Sequence, residues 1–206
     1  IHFDPPHQPY LQPDEMTELF AGEAAPGFRR GRYEFPVGDR ETLARTLHPP
    51  LGEWINLYDA NLRFADWAVG ELERLLREAG VFDDTVLLVT SDHGEAFGEH
   101  GYIWHERGVY DELVHVPLLF RFPGGAVVSE TDALTQTIDL LPTVFDLYEI
   151  PCPREGIQGT SLLPLMAGLE DAVNDRIVSR SDGDPPSYLV RSPDWSLILY
   201  GNCLLY

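Results

Sequence analysis

The chain has 206 residues, 44% of them hydrophobic, which is enough to bury a core and fits one domain of ordinary size. Its formal charge of −20 and pI near 4.5 argue against a nucleic-acid backbone or an anionic membrane surface as partner. No apolar run approaches the roughly 18 residues of a spanning helix, so no membrane partner is expected. All 14 basic residues are arginine, so any chemistry that needs a lysine must be done here by another side chain.

The chain opens on Ile1-His2-Phe3, which reads as a strand end and lacks an initiator Met; it stops in the apolar run Leu204-Leu205-Tyr206. A portion of a longer protein is therefore expected, and localisation stays unknown because no signal peptide could be read. Asp4-Pro5-Pro6-His7-Gln8-Pro9-Tyr10 follows, with four prolines in the first thirteen residues holding an extended loop. His7 is thus rigidly presented, although a lone loop histidine is as a rule simply solvated. Residues 11–50 are polar and punctuated by Pro and Gly, with Arg29, Arg30 and Arg32 clustered, and read as an insertion or lid.

From Leu51 to Ala79, Trp54, Ile55, Tyr58, Leu62, Ala65, Val69, Leu72, Leu75 and Leu76 recur at three and four residues, predicting an amphipathic helix stopped by Gly80. The five residues Val86 to Thr90 then read as a fully buried strand, which runs into Ser91-Asp92-His93-Gly94-Glu95. Ligands in α/β sheets bind just beyond the carboxyl ends of strands. Asp92 and His93 fit two arrangements there: a turn-capping carboxylate beside a hydrogen-bonded imidazole, or two ligands of one metal ion.

Residues 93–108 hold four glycines and three histidines and are expected as an irregular binding loop. Tyr110 to Leu113 reads as a helical turn, Val116 to Phe122 as a second buried strand, and Thr137 to Tyr148 as a helix with Asp139 as N-cap. Ser161 to Met166 is a short apolar segment, and residues 176–181, 187–191 and 195–200 form an antiparallel meander. Cys152 and Cys203 neither require nor forbid a disulfide, so the redox compartment stays open.

Taken together, Thr90-Ser91-Asp92-His93-Gly94-Glu95, Gly98-Glu99-His100-Gly101, Tyr110-Asp111-Glu112 and His115-Val116-Pro117-Leu118 resemble the sulfatases of the alkaline-phosphatase superfamily in order and spacing. So do the Asp4 to Tyr10 loop, Asp139-Leu140-Leu141-Pro142-Thr143 and Gly159-Thr160-Ser161-Leu162-Leu163-Pro164-Leu165. The resemblance implies an α/β fold with an alkaline-phosphatase-like layered sheet and flanking helices, plus a small C-terminal antiparallel sheet. Residues 1–170 would be the C-terminal part of that α/β core, and residues 171–206 the start of the antiparallel subdomain.

The resemblance also implies a hydrolase acting on small-molecule or glycan sulfate esters with one divalent cation, calcium first; oligomeric state stays unknown. Asp92 and His93 match the later of the family's two metal-ligand pairs, and the imidazole moves the preference towards manganese or zinc. His7 matches the histidine that gives a proton to the leaving group. His105 lies in the loop where many members carry a lysine and would act as cation or general acid. His100 and His115 are expected to be structural, and Glu95, Glu99 and Arg107 to support the site. The family's nucleophile is a formylglycine made in a Cys/Ser-x-Pro-Ser-Arg run, which does not occur here; Cys152-Pro153-Arg154 departs from it at every later position, so this chain alone is expected to be inactive. Superfamily members acting on phosphate or phosphonate esters, phosphoglycerol transferases, and a catalytically dead anion- or glycan-binding relative are the alternatives.

Overall fold

The computed structural model describes residues 1–7, 10, 13, 15–16, 50–105, 108–125, 130–153 and 155–201. Arg29, Arg30, Arg32, Arg107, Arg154 and Cys203 lie outside them. The chain divides into two compact units: residues 1–88, 95–104 and 119–126 form the first, and residues 89–94, 105–118 and 127–206 the second.

The first unit is built on helix α1, Leu51–Glu78. Pro50 precedes it, and its carbonyl accepts from the N–H groups of Glu53 and Trp54 in the first turn. Glu53 near the start and Arg77 near the end suit the helix dipole. Gly80, at φ +69°, closes the helix in a conformation that disfavours a side chain. Along the apolar stripe, Trp54 is buried with Tyr10, Leu51, Ile103 and Trp104, whereas Val69, Leu72 and Leu76 are half-buried and Leu62 and Leu75 exposed.

The turn after α1 is fixed by Phe82, which is buried between two guanidinium groups: Arg77 lies 3.7 Å and Arg121 3.6 Å from its ring centre. Arg121 also donates to the carbonyls of Phe82 and Thr85 and to the Asp83 carboxylate.

Strand β1, Leu87–Thr90, pairs with β4, Leu118–Arg121, in a two-stranded sheet. Both were expected to be fully buried and longer; Val89 and Leu119 are instead exposed. A two-stranded sheet covers few of its own side chains, so apolar composition alone does not bury them. Ile1 to Phe3, expected as a strand end, form no strand.

The loop expected to be irregular contains a short hairpin, β2 Ala96–Phe97 and β3 Ile103–Trp104, with Ala96 opposite Trp104 and Phe97 opposite Ile103. Gly98 and Gly101 take positive φ at its tip, which lets so short a connection close. The Glu99 carboxylate, 2.6 Å from the Phe97 N–H, staples that tip.

In the second unit, helix α2 is Asp111–Val114 and helix α3 is Leu140–Leu147, the latter entered through a 3₁₀ turn at Thr137–Asp139. Asp139 holds the expected N-cap position of α3, although its side chain does not cap the first turn; the 3₁₀ turn before it is capped by Gln136, in a capping box with Asp139. The fully buried Asp139 carboxylate accepts from the Gln136 and Thr160 N–H groups and the Asn174 amide, each at 2.8 Å. Gly159 must be glycine here, since a Cβ would sit 2.0 Å from the Ile138 carbonyl oxygen. Helix α4, Leu163–Met166, follows, and Leu162 before it is buried. Strands β5 Ile177–Arg180, β6 Ser187–Arg191 and β7 Ser196–Tyr200 form the expected antiparallel meander, with β6 in the centre.

Candidate metal and catalytic site

In the second unit, Ser91 to Gly94 leave the end of β1 as a tight turn held by its own side chains. The Ser91 hydroxyl donates to the His93 carbonyl at 2.7 Å, and the His93 N–H donates to Asp92 Oδ1 at 3.0 Å. His93 Nδ1 lies 2.8 Å from the Gly94 carbonyl, which can only accept, so Nδ1 carries the hydrogen. With Nδ1 as the donor, Nε2 is the ring atom that would serve as a ligand, the arrangement typical of metal-binding histidines. Asp92 Oδ2 lies 3.9 Å from His93 Nε2, and its side chain is largely exposed.

The turn is pressed onto α2. The Gly94 N–H donates to the Leu113 carbonyl at 2.8 Å, and a Cβ at Gly94 would lie 2.1 Å from the Glu112 carbonyl oxygen. Glycine is therefore required by close approach rather than by φ. His105 brings the second imidazole: its ring stacks on His93 with centres 4.0 Å apart and planes at 24°. Just before it, Trp104 is buried at φ +70°, a costly conformation for a bulky residue and one that aims the chain sharply as it leaves β3.

His7 belongs to the first unit and is exposed. Its N–H donates to the Asp4 carbonyl at 2.9 Å, and its carbonyl accepts from the Asn61 amide at 3.3 Å. Asn61 is 1% exposed on the buried face of α1. Sequence reading passed over it, yet the signal was there: Asn61 interrupts the stripe running through Trp54, Tyr58 and Ala65 with a polar amide.

Tyr10 closes the same loop. Its buried ring meets Trp54 and Tyr58 edge-on at about 6 Å, and its hydroxyl donates to Glu95 Oε2 at 3.2 Å. Burial, reinforced by the Glu95 charge, holds the Tyr10 phenol far above the ordinary tyrosine range, so it stays a donor. Burial and Glu95 push Tyr58 the same way. Glu95 is thus tied to the proline loop, while Glu99 holds its hairpin tip. His115 caps the end of α2, its N–H donating to the Asp111 carbonyl, and His100 lies exposed in the hairpin turn. Cys152 is an exposed free thiol.

The donor set of one carboxylate and one imidazole on adjacent residues suits a divalent cation of calcium to zinc character.

Comparison with known proteins follows the same line. The family model described as Sulfatase matches residues 1–150. Arylsulfatase K of Gallus gallus is 31% identical over 155 residues, 70% of this chain and 29% of its own length. BT4656, solved in complex with its substrate D-glucosamine-2-N,6-O-disulfate, matches with a TM-score of 0.66 and 27% identity over 75% of this chain and 33% of its own. The phosphonate monoester hydrolase of Silicibacter pomeroyi matches with a TM-score of 0.65 and 27% identity, covering 76% of this chain and 35% of its own. The chain thus spans about a third or less of each of these proteins.

Proposed function

The chain belongs to the sulfatase family, with the alkaline-phosphatase-like α/β fold of that superfamily, and from that premise we propose that it carries part of the active site of a metal-dependent sulfatase hydrolysing sulfate esters. The observation that carries the proposal is the His93 tautomer beside Asp92, stacked on His105.

Asp92 and His93 would hold the divalent cation, which when bound supplies Lewis-acid stabilisation of charge on the sulfate oxygens. Calcium is the first choice on carboxylate chemistry, with manganese or zinc favoured by the imidazole. His7 is assigned the proton that the leaving oxygen needs as the S–O bond breaks. Its anchor on Asn61 and the proline frame orient it for that task. His105 is assigned to the sulfate, as a hydrogen-bond donor in the place of a lysine the chain lacks. A formylglycine nucleophile would come from sequence outside these 206 residues, which contain no Cys/Ser-x-Pro-Ser-Arg run. The substrate is a small-molecule or glycan sulfate ester; the glycan choice is supported by BT4656, whose substrate is a disulfated glucosamine. Residues 171–206 are assigned to a C-terminal subdomain, supported by the meander they contain.

A second reading has a specific observation behind it: the phosphonate monoester hydrolase matches at the same identity as BT4656. Assay of the full-length protein on an aryl sulfate and an aryl phosphonate, with calcium, manganese or zinc, separates the two. Sulfate turnover that Asp92→Ala abolishes without loss of fold supports the proposal. Phosphonate turnover with the sulfate untouched moves the protein to the second reading, and full activity in Asp92→Ala removes the pair from the mechanism.

A further inference from the structure

Helix α2 has four residues and no side-chain cap, too short to hold itself in water. Two residues of the antiparallel meander grip its N-terminal end. Arg191, at the end of the central strand β6, donates from Nη2 to the Asp111 carboxylate, and its Nε donates to Ser196 Oγ on β7 at 3.0 Å. Tyr200, at the end of β7, donates its hydroxyl to that of Tyr110, the residue preceding the helix. Arg191 is mostly covered, with 20% of its side chain exposed, so this pair is less screened than a surface ion pair.

The other end of the helix meets the site. Leu113, buried at 5% exposure, offers its carbonyl to the Gly94 N–H, and the Glu112 carbonyl blocks any displacement of Gly94 towards the helix. The Gly94 carbonyl in turn holds His93 Nδ1. A continuous series of contacts therefore runs from the meander through α2 and the Gly94 peptide to the ring that presents Nε2.

We propose that Arg191 and Tyr200 are positioning residues: the C-terminal sheet braces α2 and thereby sets the orientation and tautomer of the His93 metal ligand. The inference rests on the metal-site reading above, and its test is arranged so that the two fail separately. Groups that orient a ligand through an intermediate partner typically change metal affinity ten- to a hundredfold. With manganese(II) titrated calorimetrically into the full-length protein, Arg191→Met weakens binding about tenfold, and Arg191→Lys, which keeps a cation on Asp111, restores most of it. Arg180→Met is the control, since it removes a guanidinium from β5 that pairs with Asp182 rather than with α2. It leaves manganese affinity unchanged. Thermal unfolding of each variant identifies any loss of fold, and the Lys variant keeps the question open to measurement if the Met variant unfolds.

Unchanged affinity in Arg191→Met, or an equal loss in Arg180→Met, overturns the positioning role. Asp92→Asn separates the two readings: if it too leaves affinity unchanged, the ion is held elsewhere and the metal-site reading falls together with the inference. If Asp92→Asn weakens binding and Arg191→Met does not, the inference alone falls.

Discussion

At the scale of single residues, the side chains that matter divide into those that touch the chemistry and those that aim them. His7 is on the first list by resemblance, and its backbone carbonyl is held by the Asn61 amide. On the sulfatase activity proposed above, His7→Asn in the full-length protein is expected to slow an alkyl sulfate, whose leaving oxygen needs a proton, by about 10²–10⁴-fold. A nitrophenyl sulfate, whose leaving group departs as a stable anion, is expected to lose far less. Equal losses on the two esters would take His7 away from the leaving group.

Tyr10 is on the second list. Because its folded pKa is raised, folding favours the protonated phenol, so that stability is fully present below the ordinary tyrosine value and is lost as pH rises beyond it. The chain should therefore lose stability above about pH 10 with a slope of at most about 1.4 kcal/mol per pH unit from this group. Tyr10→Phe keeps the ring among Trp54 and Tyr58 and removes the titration. Chemical unfolding at pH 8 and pH 11 checks this: the variant's stability should change less between the two than the wild type's.

At the scale of elements, the same pattern of local consistency and long-range surprise appears. Periodicity located α1 and the three meander strands to within a residue or two, because one repeating side-chain face is a local property of the chain. Asp139 stands at the N-cap position of α3 as its sequence suggests, but its carboxylate is engaged by Thr160 and Asn174, 21 and 35 residues away, rather than by the first turn. That engagement sets the cost of changing it. Asp139→Asn turns one oxygen into a donor, facing either the Thr160 N–H or both the Gln136 N–H and the Asn174 amide, and about 3 kcal/mol of stability should be lost in a urea melt. A loss below about 0.5 kcal/mol would mean the three segments are held by something other than this carboxylate. The hairpin at Ala96 to Trp104 was equally hidden, since two-residue strands carry no periodicity, and Trp104 at φ +70° breaks the local rule that bulky residues avoid that region.

At the scale of the whole molecule, charge is the governing quantity. A net −20 with only 14 arginines to offset 34 acidic residues means that self-repulsion opposes compaction at low ionic strength. Screening lengths shrink from about 30 Å at 0.01 M salt to about 3 Å at 1 M. The melting temperature is accordingly expected to rise by several degrees when sodium chloride increases from 0.01 to 0.5 M, at fixed pH and without divalent ions. A melting temperature that fell with salt would show that the exposed pairs along α1, such as Glu73–Arg77 and Arg74–Glu78, outweigh the repulsion. Among the described residues no helix is long and apolar enough to cross a membrane.

The sequence by itself determined the long helix and the meander strands, the carboxylate and imidazole at the end of β1, the proline frame around His7 and the absence of any lysine, because each is a property of neighbouring residues or of composition. The tertiary structure alone decided that Gly94 must be glycine, that His105 stacks on His93, and that Asn61 and Glu95 anchor the proline loop. These depend on atoms 12 to 85 residues apart approaching within hydrogen-bonding or van der Waals distance. No periodicity or local propensity encodes such distances; they follow only once the chain has folded and each polar group has found the partner that burial demands.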